Sequence, residues 1–226
     1  MTELKQTFEL DSIVSTAVTD LEKARLICDW VHSLWEHDGV NKPQNNDPIS
    51  IINETNNGKR FRCVEFSIVI QGCLTALEIP SRIVVLMTKD VETSEKWASH
   101  YVVEAFLKNH EKWCMIDGQR NAIPVLGDVP LNAIEFQAAL ANKQKDLRIL
   151  NLSDVSTPPY FRWISPSLYY FQYNVDNRIA ESNKDSQKIM LVPIGAKEPK
   201  VFQRKSSIKN VIYSNSLLNI YHRPEP

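Results

Sequence analysis

Hydrophobic positions first settle into a helical rhythm after Asp20. Leu21, Ala24, Cys28, Val31 and Leu34/Trp35 recur at spacings of three and four, which is an apolar stripe on an otherwise polar helix. Thr19-Asp20-Leu21-Glu22 stands before it in the form of a capping box. Gly39 is the expected stop. A weaker helical pattern lies upstream, from Ser12 to Val18. The rhythm then lapses. Residues 41–60 hold two prolines, six asparagines and an Asn57-Gly58 turn signal, a composition that predicts an irregular loop.

From Cys63 to Glu78 the pattern is helical and apolar nearly all round, with Val64, Phe66, Ile68, Val69, Ile70, Cys73, Leu74, Ala76 and Leu77. A helix without a polar face belongs in a core, and Pro80 ends it. Ile83–Met87 reads as a buried strand. His100–Leu107 and Trp113–Asp117 read as two more, joined by a turn. A tight turn at Lys108-Asn109 would set His100 directly opposite Asp117, with Cβ atoms roughly 4.5–5.5 Å apart. A register shift of two residues would still leave them neighbours. Beyond Asp117 a short helix is expected within Pro130–Ala141. An aromatic, proline-bearing stretch follows at Thr157–Val175, then a polar turn at Asn177–Gln187, and strands at Ile189–Ile194 and Val211–Tyr213. Residues 1–145 are expected to form the core and 146–226 an extension packed on it.

Composition narrows the classes. Hydrophobic residues are 43% and charged residues 23%, with net charge −1, as in ordinary globular proteins. No basic block supplies an electrostatic case for nucleic acid or a membrane surface. The start, MTELKQTFELD, lacks a basic segment followed by an apolar one. The apolar run from Phe66 to Leu77 falls short of the roughly 20 residues that span a bilayer. A cytoplasmic location is the expectation. Cys28, Cys63, Cys73 and Cys114 are irregularly spaced with no CxxC pair, so neither a zinc ribbon nor a disulfide framework is expected. His32 and His37 lie five apart and do not share a helix face. No metal or cofactor is expected.

Three residues carry candidate chemistry. Cys63 opens the buried helix, where unpaired amides and the helix dipole favour a thiolate. His100 would accept and return the proton. Asp117 would orient the imidazole and stabilise its charge. The Cys63 amide would serve as an oxyanion donor. Cys28, Cys73 and Cys114 are expected to be buried small hydrophobes. Glu65 and Arg82 are expected to pair across the central helix, Glu104 to be solvated, and the aromatics from Tyr160 to Tyr173 to serve packing.

These segments resemble the transglutaminase-like superfamily of papain-type fold. That family pairs a Cys at the start of a central helix with His and Asp on adjacent strands. The resemblance is carried by Cys63-Val64-Glu65-Phe66-Ser67, Glu78-Ile79-Pro80-Ser81-Arg82, His100-Tyr101-Val102-Val103-Glu104 and Trp113-Cys114-Met115-Ile116-Asp117, over about residues 20–140. Phe61-Arg62 stands where a glycine is expected before the Cys, Glu78 replaces the glycine before Ile-Pro, and Gly118 replaces the commoner Pro. The resemblance implies an α+β fold: a papain/transglutaminase-like core with a central buried helix on an antiparallel sheet, plus the C-terminal extension. It implies a thiol hydrolase or acyltransferase, protease-, amidase- or deamidase-like, acting through a thioester on a peptide, protein or other amide. Two alternatives stand beside it. One is an inactive binding or scaffold module of the same fold. The other is an arylamine N-acetyltransferase-like enzyme, although the Arg-Gly-Gly-x-Cys lead-in of that family is missing.

Overall fold

A computed structural model describes residues 2–150, 157–176 and 186–224. The chain opens with short helices α1 (Thr2–Thr7) and α2 (Leu10–Ile13). Helix α3 (Asp20–Leu34) begins with the capping box: Thr19 accepts from the Glu22 amide, and the Glu22 carboxylate accepts from the Thr19 amide. It ends at Leu34 with Trp35 as cap, five residues before Gly39.

The stretch expected to be irregular contains helix α4 (Pro48–Asn56). Asp47 caps it by accepting from the Ser50 amide, and Pro48 sits in the first turn, where a missing N–H costs nothing. Ile51, Ile52 and Thr55 are its buried face. Thr55 belongs to the sequon Asn53-Glu54-Thr55, so that site is folded into a helix with its threonine covered.

Helix α5 (Cys63–Ala76) is the centre of the molecule. Strands β1 (Ser81–Met87), β2 (Ser99–Leu107) and β3 (Lys112–Ile116) follow. Next come β4 (Ile123–Leu126), β5 (Val129–Pro130), α6 (Ala133–Ala141), β6 (Leu147–Leu150) and α7 (Thr157–Ile164). The remainder is β7 (Tyr170–Asn174), β8 (Lys188–Leu191), β9 (Val201–Phe202), β10 (Ser206–Ser207) and β11 (Val211–Ser214). The polar turn expected at 177–187 lies mostly outside the described residues.

The main sheet runs β11-β8-β7-β1-β2-β3. Its pairs are antiparallel apart from β8 with β11. Strand alternation divides the core. Val103, Ala105 and Leu107 of β2 join α3, α4 and α5 in one apolar cluster, while Val102 joins α6, α7 and β7 in another. The fold is therefore α+β, with a central helix packed on a largely antiparallel sheet. Strands from beyond residue 146 extend that same sheet.

The hairpin register differs from the expected one. Val103 faces Ile116 and Leu107 faces Lys112, two residues out of step with a turn at Lys108-Asn109. The connection is a short 3-10 turn over Lys108–His110, and Glu111 after it adopts a left-handed conformation. His100 and Asp117 are consequently diagonal rather than opposed neighbours.

Candidate active site

Cys63 occupies the first position of α5, so its amide has no partner within the helix. Glu65 builds that terminus. Its carboxylate accepts from the Arg62 amide at 3.0 Å and from the Arg62 guanidinium at 2.5 Å. Burial works against the Arg62 charge, and Glu65, then Cys63, more than restore it, so a guanidinium stands within electrostatic reach of the thiol. Cys63 is partly exposed, whereas Cys28, Cys73 and Cys114 are buried. Burial pushes the Cys73 thiol up to about 12 and Cys114 higher still, which leaves them inert.

His100, 4% exposed, and Asp117, fully buried, meet at 2.9 Å through Nε2 and Oδ2. Burial alone would lower the imidazole pKa. The Asp117 charge, the hydrogen bond to it and the interaction with the Cys63 side chain outweigh burial and raise it to about 10. Asp117 has two further donors: the Arg120 amide reaches Oδ1 at 3.2 Å, and the Tyr160 hydroxyl reaches Oδ2 at 3.0 Å. Gly118 brings this turn close against α5. A Cβ there would fall 2.4 Å from Ile70 Cδ1 and 3.2 Å from Phe66 Cβ, so a larger residue would require those side chains to shift. The Gly118 carbonyl lies 3.1 Å from His32 Nδ1.

Two residues of α7 complete the surroundings and went unrecognised in the sequence. Tyr160 holds Asp117, and Trp163 meets the His100 ring edge-on at 4.9 Å. They reach the site because His100, Val102 and Glu104 alternate onto the face that α6 and α7 cover. Sequence separation hid them, since Tyr160 lies 43 positions after Asp117.

The expected Glu65–Arg82 pair does not form. Arg62, one turn away on the same helix end, takes Glu65, and Arg82 faces Glu104 across β1 and β2. Glu104 is fully buried rather than solvated. It accepts from Arg82 at 2.7 Å, from the Ala133 amide at 2.9 Å and from the Tyr221 hydroxyl at 2.9 Å.

Among the described residues no group of three His, Cys, Asp or Glu side chains could hold a metal, and no helix is long and apolar enough to cross a membrane.

Residues 10–118 match the transglutaminase-like superfamily. No curated protein matches the chain. Among solved structures it is similar to a candidate cysteine protease from Cytophaga hutchinsonii, with 16% identity, TM-score 0.44, and coverage of 69% of this chain and 54% of that one. It is similar also to a candidate protease from Parabacteroides distasonis, with 10% identity, TM-score 0.37 and coverage of 52% and 26%. Calcium-bound LapG from Legionella pneumophila gives 13% identity, TM-score 0.31 and coverage of 67% and 87%. The chain thus spans about half the length of the first of these and about a quarter of the second. The stretch that matches the transglutaminase-like superfamily, residues 10–118, carries Cys63, His100 and Asp117.

Proposed function

We propose that the protein is a cysteine-dependent acyl hydrolase that uses Cys63, His100 and Asp117 on an amide substrate. The carrying observation is a buried imidazole hydrogen-bonded to a carboxylate with two further donors, and a partly exposed thiol at a helix N-terminus whose side chain acts on that imidazole. Asp117 uses Nε2 of His100, which leaves Nδ1 for the Cys63 thiol. With its pKa raised to about 10, the imidazole is cationic at neutral pH. It can then pair with a thiolate and act as the acid for the leaving group.

The reaction follows from these positions. The Cys63 thiolate attacks the amide carbon, and the oxygen takes the displaced electron pair under the unpaired amide of Cys63. Collapse breaks the C–N bond, and His100 gives its proton to the departing amine. Water then attacks the thioester while His100 takes a proton from it. The C–S bond breaks, a carboxylic acid leaves, and the thiolate–imidazolium pair is restored. Asp117 keeps the ring oriented throughout.

Iodoacetamide labelling against pH tests this. Cys63 should alkylate faster than free cysteine at pH 7 and with a weaker dependence on pH. In His100→Gln the ordinary pH dependence should return. Alkylation of Cys63 no faster than free cysteine at pH 7 would sink the proposal.

A further inference from the structure

Arg120 is a cation at the edge of this site without an ion pair among the described residues. It follows Asp117 by one short turn, and its own amide is tied to the Asp117 carboxylate. Its guanidinium lies 4.2 Å from the centre of the Trp163 ring, and Trp163 in turn meets the His100 ring at 4.9 Å. The aromatic face fixes the guanidinium without neutralising it. Arg120 helps to line a cavity of about 380 Å³ with His32, His37, Gln119 and Phe66. Phe66 lies one helical turn beyond Cys63. Glu36, the carboxylate on the same rim, is already paired with Arg60 at 2.8 Å.

We infer that this cavity is a carboxylate-recognition subsite, and that the amide substrate carries a carboxylate which Arg120 binds while its carbonyl lies at Cys63; the inference rests on the hydrolase reading. The volume is within the range of small-ligand sites, and Arg120 presents the planar fork that suits a carboxylate. The surrounding field agrees. His37 is held below its usual pKa first by burial, then by the charges of Arg120 and His100, with Asp38 and Asp117 opposing more weakly. Burial resists a charge of either sign there, and the contributions of Arg120 and His100 are the ones that favour an anion. The carboxylate could be a Glu or Asp side chain or a free peptide terminus, and both present the same chemistry to Arg120.

Peptide binding to the full chain carrying Cys63→Ala separates these sources and leaves turnover aside. Three peptides of equal length serve as probes: one with an internal Glu and amidated end, one with Gln in its place and amidated end, and the Gln peptide with a free carboxylate end. NMR titration read at the His37 and His32 ring protons should show at least one carboxylate peptide binding about tenfold tighter than the amidated Gln peptide. Which one does so names the source. The preference should fall below about twofold in Arg120→Gln, persist in part in Arg120→Lys, and shrink as salt rises through the range where the Debye length drops from about 10 to 3 Å. Equal binding of all three peptides, no binding of any at millimolar concentration, or a preference that survives Arg120→Gln would each overturn the subsite. Ordinary Cys63 alkylation with an intact carboxylate preference would instead overturn the hydrolase reading and leave the subsite standing.

Discussion

Strand β2 carries two buried ionic clusters on one face, four residues apart, and they do different things. At His100 an imidazole meets Asp117 from beyond β3, and Tyr160 donates to the carboxylate. At Glu104 a carboxylate meets Arg82 from β1, and Tyr221 donates to it. Each cluster recruits its tyrosine from the C-terminal part of the chain. The difference lies in what is left open. Arg82 is enclosed by the rings of Trp113, Tyr173 and Tyr221 at 4.1, 4.3 and 5.0 Å, and another of its donors reaches the Ile220 carbonyl at 2.7 Å. That cluster is closed on every side and ties the C-terminal residues to the sheet. The His100 cluster ends instead at Cys63, a partly exposed thiol on a helix terminus. Burial raises the stakes of a charge in both places; only at His100 is the charge left next to something that can react.

The sharpest way to break this contrast is to remove the charge from each cluster in turn. Asp117→Asn keeps the shape but loses the partner of the imidazolium. It should cut kcat by roughly 10³–10⁴-fold on any amide that wild type turns over. Its effect on stability should be smaller than that of the matching change at Glu104. Glu104→Gln strands Arg82 in the core and should cost about 3–5 kcal/mol in urea unfolding. Cys63 in the folded fraction should alkylate at the wild-type rate. Fast loss of alkylation in Glu104→Gln without loss of stability would mean that the two clusters act as one.

The clusters also differ in their response to alkali. His100 has a folded pKa raised to about 10 against roughly 6.5 for the free side chain. Its charged form therefore adds stability that is present in full below about pH 6.5 and is lost as pH rises through about 10. Urea midpoints measured from pH 6 to 10 should fall more steeply for wild type than for His100→Gln. Parallel curves would remove the imidazolium from the argument.

Tyr160→Phe is a milder probe of the same boundary. Burial, then Asp117, push the Tyr160 hydroxyl well above its ordinary range, so it remains a donor to the carboxylate. Its loss should cost about 1 kcal/mol. A several-fold drop in kcat with unchanged KM would mark Tyr160 as a positioning residue. A stability loss with unchanged kcat would make it packing alone.

The sequence exposed what is local. The Thr19 capping box, the all-round apolar α5, the strand bearing His100 and the strand that leads to Asp117 each declare themselves within a few residues. Helix α4 was obscured because asparagine content suggested a loop, although Asp47-Pro48 is a helix start and Ile51, Ile52 and Thr55 are a face. The partner of Arg82 depended on cross-strand register, which sets Glu104 opposite it. The diagonal placement of His100 and Asp117 depended on a 3-10 turn that no dipeptide announces. Tyr160, Trp163 and Tyr221 reach the clusters across the fold, and periodicity carries no information at that range.

The smallest expected effect concerns the other end of α5, far from the thiol. Leu77 caps the helix, Glu78 has φ of 60° and is exposed, its amide bonds the Thr75 carbonyl at 3.0 Å, and the Ile79 amide bonds the Leu74 carbonyl at 2.9 Å. This is the paired hydrogen-bonding of a Schellman ending, whose left-handed position favours glycine. A side chain there costs about 1–2 kcal/mol of steric strain, while glycine gives some of it back as unfolded-chain entropy. Glu78→Gly should therefore raise stability by up to about 1 kcal/mol and leave the alkylation rate of Cys63 unchanged. Destabilisation would show that the glutamate side chain is used. A change in alkylation would show that the C-terminal end of α5 sets the position of its first residue, and that the site is not held by Glu65, Arg62 and Gly118 alone.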